Sequence, residues 1–161
     1  MTRLAFPFFC VLGLLFAAGC QSPPPPDYSP TLARFFLENP SGAVGMRLPQ
    51  SGVQLAVAPK PVLTEFDFVD VAVAQVELGR CLMFQLTPAA ARDLYRLSVP
   101  NQGRRLVLVV NGVPLGARRI DRPLDDGAVL VFAEVADEAL LSLANNLRKT
   151  SAELQRTLRK S

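Results

Sequence analysis

The chain has 161 residues and a formal net charge of +3 at pH 7, and 50% of its residues are hydrophobic. This length fits one domain with short additional segments, and the domain can bury one modest core. The charge is too small for a nucleic-acid-binding domain, which needs a distinctly basic surface. The sequence contains no histidine, so it lacks the commonest general base and the commonest metal ligand.

Residues 1–19 have the pattern of a cleaved secretory signal peptide. Arg3 provides a positive start, residues 4–16 are apolar, and small residues precede Cys20. The apolar stretch is shorter than the roughly 20 residues that span a bilayer, and Pro7 interrupts it. The pattern therefore predicts export with removal of the signal.

The end of this segment, Ala17-Ala18-Gly19-Cys20, resembles the lipobox of bacterial lipoproteins, although the family usually has Leu where Ala17 stands. The resemblance implies cleavage before Cys20, lipid on its thiol, and a palmitate-type membrane anchor facing the periplasm. Gln21 follows the cysteine in place of Asp, which implies sorting to the cell outer membrane. The alternative is an ordinary signal-peptidase site with an incidental Cys20.

From the lipidated cysteine onwards, the mature chain is predicted to have three parts. Residues 20–30 form the anchor and a stiff Pro-rich tether. Residues 31–150 form the domain, and residues 151–161 extend its last helix.

The first half of the domain is predicted to be mostly β-structure, with strands at residues 33–38, 53–57, 70–76 and 80–86, and a Gly/Pro/Ser loop separates the first two. The last two strands form a hairpin through residues 77–79. In the second strand of that hairpin, Leu82, Phe84 and Leu86 alternate onto one face, which we expect to be the core face. Cys81 faces the other way and is either a buried small hydrophobe or a reactive thiol. With no histidine to activate it, the buried alternative is favoured.

A helix is predicted to start at Thr87-Pro88, with the Thr as N-cap and the Pro at the first helical position. The residues expected to face the core are Ala91, Leu94, Tyr95 and Leu97. Strands follow at residues 104–110, 113–120 and 128–134. Asn111-Gly112 is the turn signal between the first two, and Pro114 marks an edge or a bulge.

A long helix is predicted from Asp137, as N-cap, to about Lys160. Its apolar stripe is Leu140, Ala144, Leu147, Leu154 and Leu158. The turns beyond Thr150 are expected to project past the domain. This order of elements predicts an α+β fold with one antiparallel sheet and two helices on one face.

Residues 62–149 resemble the head subdomain in the first periplasmic domain of SecD, a subunit of the bacterial protein-export machinery. The similar segments, in order, are VLTEFDFVDVAV, FQLTPAAARDLYRLSVPNQGRRLVLVVNG, ARRIDRPLDDGAVLVF and DEALLSLANNLR. The family has Gly where Ala90 and Thr150 stand here. We do not expect the membrane helices or the base subdomain of SecD in this sequence. The resemblance therefore implies the fold and a surface that touches extended polypeptide, without ion-driven pulling.

The sequence offers little for catalysis, which would need a nucleophile with a base, paired carboxylates or metal ligands at working spacing. Paired acids occur at residues 67 and 70, at 125 and 126, and at 137 and 138. Turn and helix-cap roles explain each pair. We expect no enzymatic activity, no cofactor and no metal.

Two arginine pairs are expected to meet across the hairpin closed by Asn111-Gly112. They are Arg104, Arg105, Arg118 and Arg119. Together they could bind an anionic lipid headgroup or an acidic segment of a partner. The alternative, which we prefer, is solvated strand ends balanced by Asp121, Asp125 and Asp126.

These features favour a non-enzymatic envelope lipoprotein that binds polypeptide or an export or envelope partner, through a strand edge or a groove between sheet and helix. The alternative is a structural or assembly lipoprotein that self-associates through its C-terminal helix. In that case Leu154 and Leu158 would be the contact residues. No nucleic-acid partner is expected.

Overall fold

The computed structural model describes residues 27–41 and 44–160, so the predicted signal, Cys20 and most of the tether lie outside the described residues. In these ranges, neither helix has the length and apolar character that crossing a bilayer requires. The elements, in chain order, are β1 (Ala33–Glu38), β2 (Val44–Arg47), β3 (Gln54–Leu63), β4 (Phe68–Val76), β5 (Gly79–Leu86), α1 (Pro88–Ser98), β6 (Arg105–Val110), β7 (Val113–Arg119), β8 (Ala128–Val131) and α2 (Asp137–Leu158).

The predicted α+β class with antiparallel strands and two helices is confirmed. The strands form two hydrogen-bonded sheets where one was expected, in the orders β2-β3-β1-β6-β7 and β4-β5-β8. The break follows β3, where Thr64 and Asp67 cap a short 3-10 turn that redirects the chain. Beyond β8, the Glu134 amide donates to the Leu115 carbonyl at 2.6 Å, so the sheets meet again and the assembly curls.

The main core lies between the two sheets and the helices. Phe35, Phe68 and Phe84 meet there with ring centroids 5.0–6.0 Å apart, an arrangement that aromatic pairs favour. Leu94 of α1 and Leu147 of α2 both join this cluster. The two helices therefore pack on the same side, as the sequence predicts.

A second, smaller apolar cluster lies on the other face of the five-stranded sheet, formed by Leu48, Leu55, Val57, Val107 and Val109. Strand β3 serves both cores, because Leu63 joins the main core. Strict alternation would put positions 55, 57 and 63 on one face. The pairing of β3 with β1 is irregular between these positions, in the stretch that contains two prolines, so the strand changes face there.

Several local predictions are confirmed. The Thr87 hydroxyl accepts from the Ala90 amide at 3.2 Å, so Thr87 caps α1. Asn111 and Gly112 have φ of 47° and 84°, as a tight hairpin turn requires. Pro114 lies in an edge strand next to a shift of register. Cys81 is fully buried.

Strand β2 was not predicted, and two other strands have lengths that differ from prediction: β3 is longer, and β8 ends at Val131 where residue 134 was expected. Strand β2 lies in a stretch that was interpreted as a Gly/Pro/Ser loop. Strand β3 continues to Leu63, well past its predicted end at Val57, in spite of its prolines. The prolines suppressed the strand prediction, yet a bulged stretch accommodates the missing N–H groups.

Two residues of the helices, Tyr95 and Asp137, differ from prediction in their burial or their place in the helix. Tyr95 was expected in the core but is 46% exposed, because Ala90, Leu94 and Ser98 form the buried side of α1. Asp137 was expected as the N-cap of α2. The N-cap is Ala136, and Asp137 is the first helical residue, where its charge still favours the helix dipole.

The expectation that α2 projects beyond Thr150 is wrong as far as Gln155. The Thr31 amide donates to the Thr150 hydroxyl at 2.9 Å, and Ser151 is buried. The Gln155 side-chain amide donates to the Phe66 carbonyl at 2.8 Å. The helix is therefore attached to the domain for most of its length, with Leu154 half-buried.

Candidate functional site

The open edge of the five-stranded sheet is formed by β2. Val44–Arg47 pairs with β3 on one side, and in the part of the chain that the structure describes no segment pairs with the other side. Val44 and Gly45 are exposed. An unpaired strand edge presents a row of N–H and C=O groups that can pair with another extended chain.

The direction of these backbone groups follows from the register. Leu48 pairs with Val53 through a 2.9 Å hydrogen bond from the Leu48 amide. Hydrogen-bonded and non-hydrogen-bonded residue pairs alternate from this position along the β2–β3 hairpin. Met46 and Val44 therefore bond to β3, whereas the N–H and C=O groups of Gly45 and Arg47 point away from it. Two residues thus provide outward donors and acceptors at this edge.

A surface cavity of about 490 Å³ lies beside this edge. It is lined by Gly45, Met46, Arg47, Gln54, Leu55 and Ala56. A side-chain carbon added at Gly45 would meet nothing within 4 Å, so the face of the strand is open at this position. The edge and this cavity together form the surface that we call the β2 edge.

Of the two predicted arginine pairs, the β6–β7 register brings only Arg105 and Arg119 opposite each other. Arg105 lies opposite Arg119, and Arg118 lies opposite Leu106. Like charges directly opposite each other are unfavourable unless acids compensate them. Here Glu38 lies 3.2 Å from Arg105, and Asp121 lies 3.3 Å from Arg119.

Of the predicted balancing acids, only Asp121 pairs with one of these arginines within the described residues. Asp125 and Asp126 both pair with Arg122, at 2.8 Å and 2.5 Å. Arg104 is exposed and has no ion pair in the same part of the chain. Asp126 and Asp121 also act on Arg118 at longer range, where their charges favour its cationic form and oppose the lowering of its pKa by burial.

Arg118 differs from the other three arginines because it is half-buried. Its guanidinium donates to the Leu130 carbonyl at 3.3 Å and makes no ion pair with a described residue. Burial lowers the pKa of Arg118 from its usual value, and the neighbouring Arg122 cation acts in the same direction. The guanidinium lines a surface cleft of about 330 Å³ between β7 and β8.

The residues that line this cleft are Ala117, Arg118, Arg119, Asp121, Leu130, Val131 and Phe132, and we call it the arginine cleft. Phe132 is 42% exposed and gives the cleft an apolar side. Phe132 was not among the predicted site residues. Its signal was weak, because an aromatic residue at a predicted strand position is most simply explained as core.

Cys81 lies near the arginine cleft, within electrostatic range of Arg118. Burial raises the pKa of the Cys81 thiol, and the Arg118 charge opposes this effect only in part. A buried thiol with a raised pKa is a poor nucleophile. The site therefore has the properties of a packing position.

The remaining predicted positions do not come together into a site. Leu154 is half-buried and Leu158 is 49% exposed on the last turns of α2. Asp67 accepts from the Thr64 amide at 2.7 Å, and Asp70 accepts from its neighbouring Val71 amide at 2.9 Å. Within the described residues, no group of three or more acids and cysteines could hold a metal ion.

Solved structures of SecDF share this fold. SecDF in a super-membrane-facing form is 19% identical with a TM-score of 0.61, over 76% of this chain and 19% of that one. SecDF described as a membrane component that enhances protein export is 20% identical with a TM-score of 0.58, over 76% and 64%. SecDF from Thermus thermophilus, a translocon-associated membrane protein, is 19% identical with a TM-score of 0.52, over 76% and 20%.

At these identities the likeness concerns the fold alone, and the described domain is SecD-like in fold, as its sequence motifs imply. The chain spans about a fifth of the length of the first of these structures. No protein-family model matches the sequence. No curated protein matches it either.

Proposed function

We propose that this protein is a lipid-anchored envelope lipoprotein whose SecD-like domain binds extended polypeptide along the β2 edge, without catalysing a reaction. The observation that carries the proposal is the unpaired edge of Val44–Arg47 beside an open cavity, within the described residues. Addition of a strand to an exposed edge is a common way to bind polypeptide, because main-chain hydrogen bonds supply much of the affinity.

The fold supports a role close to protein export. SecDF, with which the domain shares its fold, is described as a membrane component that enhances protein export. In our proposal this chain contributes a binding surface held near the membrane by lipid on Cys20. Any pulling on the bound polypeptide would be done by other components.

The anchor is tested by metabolic labelling with palmitate. The wild-type protein should take up label and fractionate with membranes, and Cys20→Ser should lose both properties. Density separation of the membranes then tests the outer-membrane assignment that Gln21 implies. A wild-type protein without label would refute lipidation and leave the β2 edge proposal standing.

The β2 edge is tested with a matched pair of variants at one position. Gly45→Pro removes the outward N–H, whereas Gly45→Ala keeps it and adds a methyl group into open space. The probe is a capped octapeptide of alternating Thr and Val with terminal lysines, followed by amide NMR shifts. We expect wild type and Gly45→Ala to show shifts at positions 45 and 47, and Gly45→Pro to bind at least about threefold more weakly.

Equal binding by both variants, or shifts confined to other strands, would exclude this edge as the binding surface. Circular dichroism of both variants checks that the fold is retained. The alternative of self-association through α2 is less favoured, because Ser151 and Gln155 are already used within the domain. Sedimentation over a range of concentrations tests it directly.

A further inference from the structure

The arginine cleft lies where two strand edges separate. Strands β7 and β8 belong to different sheets, and the link between Leu115 and Glu134 joins them at one end. Towards the other end, the Leu130 carbonyl receives a hydrogen bond from the Arg118 side chain. The Leu115 carbonyl faces β8, so alternation directs the N–H and C=O groups of Ala117 and Arg119 to the same side.

Arg118 is the member of this cleft whose guanidinium has N–H donors left for a ligand. A guanidinium has five N–H donors and stays cationic in proteins. This one has a single hydrogen bond and no carboxylate partner among the described residues, although it is half-buried. Moving a charge out of water is unfavourable unless it is paired. A carboxylate that enters the cleft would form charge-assisted hydrogen bonds with the guanidinium, whose planar shape matches that of a carboxylate.

The apolar side of the cleft indicates which class of anion the arginine cleft would bind. The exposed part of Phe132 adjoins Leu130 and Val131 in the lining. A free inorganic anion has no apolar group that could pack against such a surface. A polypeptide segment with an acidic residue beside an apolar one can use both parts.

The position of the cleft relative to the N-terminal tether argues against a lipid headgroup. The tether first meets α2, where Asp27 lies 2.9 Å from Lys149, and it enters β1 beside the Asn111-Gly112 turn, where the Leu32 amide donates to the Asn111 side chain at 2.9 Å. The arginines lie at the other end of the same hairpin, about 17 Å away at 3.3–3.4 Å per strand residue. In our proposal, with lipid on Cys20, this end of the hairpin is the one farther from the point where the tether enters β1, and it meets polypeptide.

We propose that the arginine cleft binds an acidic segment of a polypeptide partner, with a carboxylate on Arg118 and a neighbouring apolar side chain on Phe132. The site is separate from the β2 edge, and binding there does not depend on strand addition at β2. Only the preference over lipid rests on the proposed anchor.

The test uses the mature chain from residue 20 with Cys20→Ser and two capped hexapeptides, one alternating Glu and Leu and one alternating Gln and Leu. The Glu peptide should shift the Arg118 Nε–H signal in the NMR spectrum of the folded protein, and the Gln peptide should not. Arg118→Gln should weaken binding of the Glu peptide by about tenfold or more. The matched control Arg148→Gln removes the same charge from α2 and should bind as wild type does.

Two further measurements distinguish a polypeptide anion from a lipid anion and keep the test valid if Arg118→Gln fails to fold. Phe132→Ala keeps the guanidinium, and it should weaken the Glu-Leu peptide more than a Glu-Ser peptide. Vesicles of phosphatidylglycerol and phosphatidylcholine should not bind in an Arg118-dependent manner. The proposal is overturned if the vesicles do so, if both peptides shift the Arg118 signal equally, or if neither shifts it.

Discussion

Two of the edge strands, one from each sheet, differ in whether a helix lies beside them. Strand β4, at the edge of the three-stranded sheet, lies beside α2, and the Gln155 side chain bonds to carbonyls at the start of that strand. Strand β2, at the edge of the five-stranded sheet, has no such neighbour among the described residues. Within one small domain, one edge is protected and the other is available.

This difference indicates which part of the molecule serves stability and which part is free for binding. Exposed edges risk aggregation, and proteins usually cover them, shorten them or charge them. The β2 edge is short and ends in Arg47, which limits that risk while leaving outward backbone groups. By contrast, α2 contributes Leu140, Ala144 and Leu147 to the main core.

The largest expected effect comes from weakening the protected edge. Leu147 is 1% exposed, so Leu147→Ala should lower the free energy of unfolding by about 2–5 kcal/mol, as truncation of a buried leucine usually does. Its control on the same helix is Leu141→Ala, at a position that is 59% exposed, with an expected change within about 0.5 kcal/mol. Urea unfolding measures both. Similar losses would mean that α2 is not packed in this register.

A second pair compares the same substitution at a closed position and an open one. A side-chain carbon at Gly116 would fall inside the contact distance of the Phe132 carbonyl, whereas at Gly45 it meets nothing within 4 Å. Gly116→Ala should force the backbone apart and cost about 1–3 kcal/mol. Gly45→Ala should cost less than about 0.5 kcal/mol. Thermal unfolding of the two variants side by side decides whether the sheets really meet at Gly116.

A smaller, pH-dependent effect concerns the ion pair that joins the start of β4 to β1. The hydrogen-bonded Arg34 guanidinium, 2.7 Å away, lowers the pKa of Glu65 from its ordinary value. This carboxylate therefore stabilises the fold above its unfolded pKa of about 4.3, and the contribution is lost as pH falls through the lower folded value.

Wild type should accordingly exceed Glu65→Gln in unfolding free energy at pH 7, and the gap should narrow below about pH 4. The control Glu77→Gln, in an exposed turn, should follow wild type at every pH. A constant gap between wild type and Glu65→Gln from about pH 7 to about pH 3 would contradict this account of the ion pair.

The last prediction concerns reactivity, with no expected change in stability. Cys81 is buried in β5, and burial raises its pKa, so an alkylating reagent should leave it unmodified in the native protein and modify it fully in denaturant. Mass spectrometry follows the adduct in the Cys20→Ser background. Rapid native labelling would show that the sheet opens near the arginine cleft.

Elements whose signals are local could be predicted from the sequence. The bounds of β1 agree with prediction, and Thr87 and the Asn111-Gly112 turn act as their residue types suggest. The predictions for Tyr95 and β2 were wrong because the burial of Tyr95 and the formation of β2 depend on tertiary packing. A four-residue edge strand after a short loop has no periodicity of its own, and pairing with β3 stabilises it.

The candidate site could be predicted only in part. The hairpin register brings Arg105 and Arg119 together, as its turn signal implied. The sequence could not show that Arg118 is the half-buried one, because that depends on the separation of β7 from β8 in space. For the same reason Phe132, which follows β8 and is distant in sequence from these arginines, was interpreted as an ordinary strand residue.

The change of face within β3 has a consequence for how the molecule comes apart. Leu55 and Val57 belong to one apolar cluster and Leu63 to the other, and both clusters share this single strand. Neither cluster can therefore melt while the other keeps its full set of contacts. We expect backbone amides on both sides of the prolines in β3 to exchange with solvent at one common, slow rate, as members of one cooperative unit.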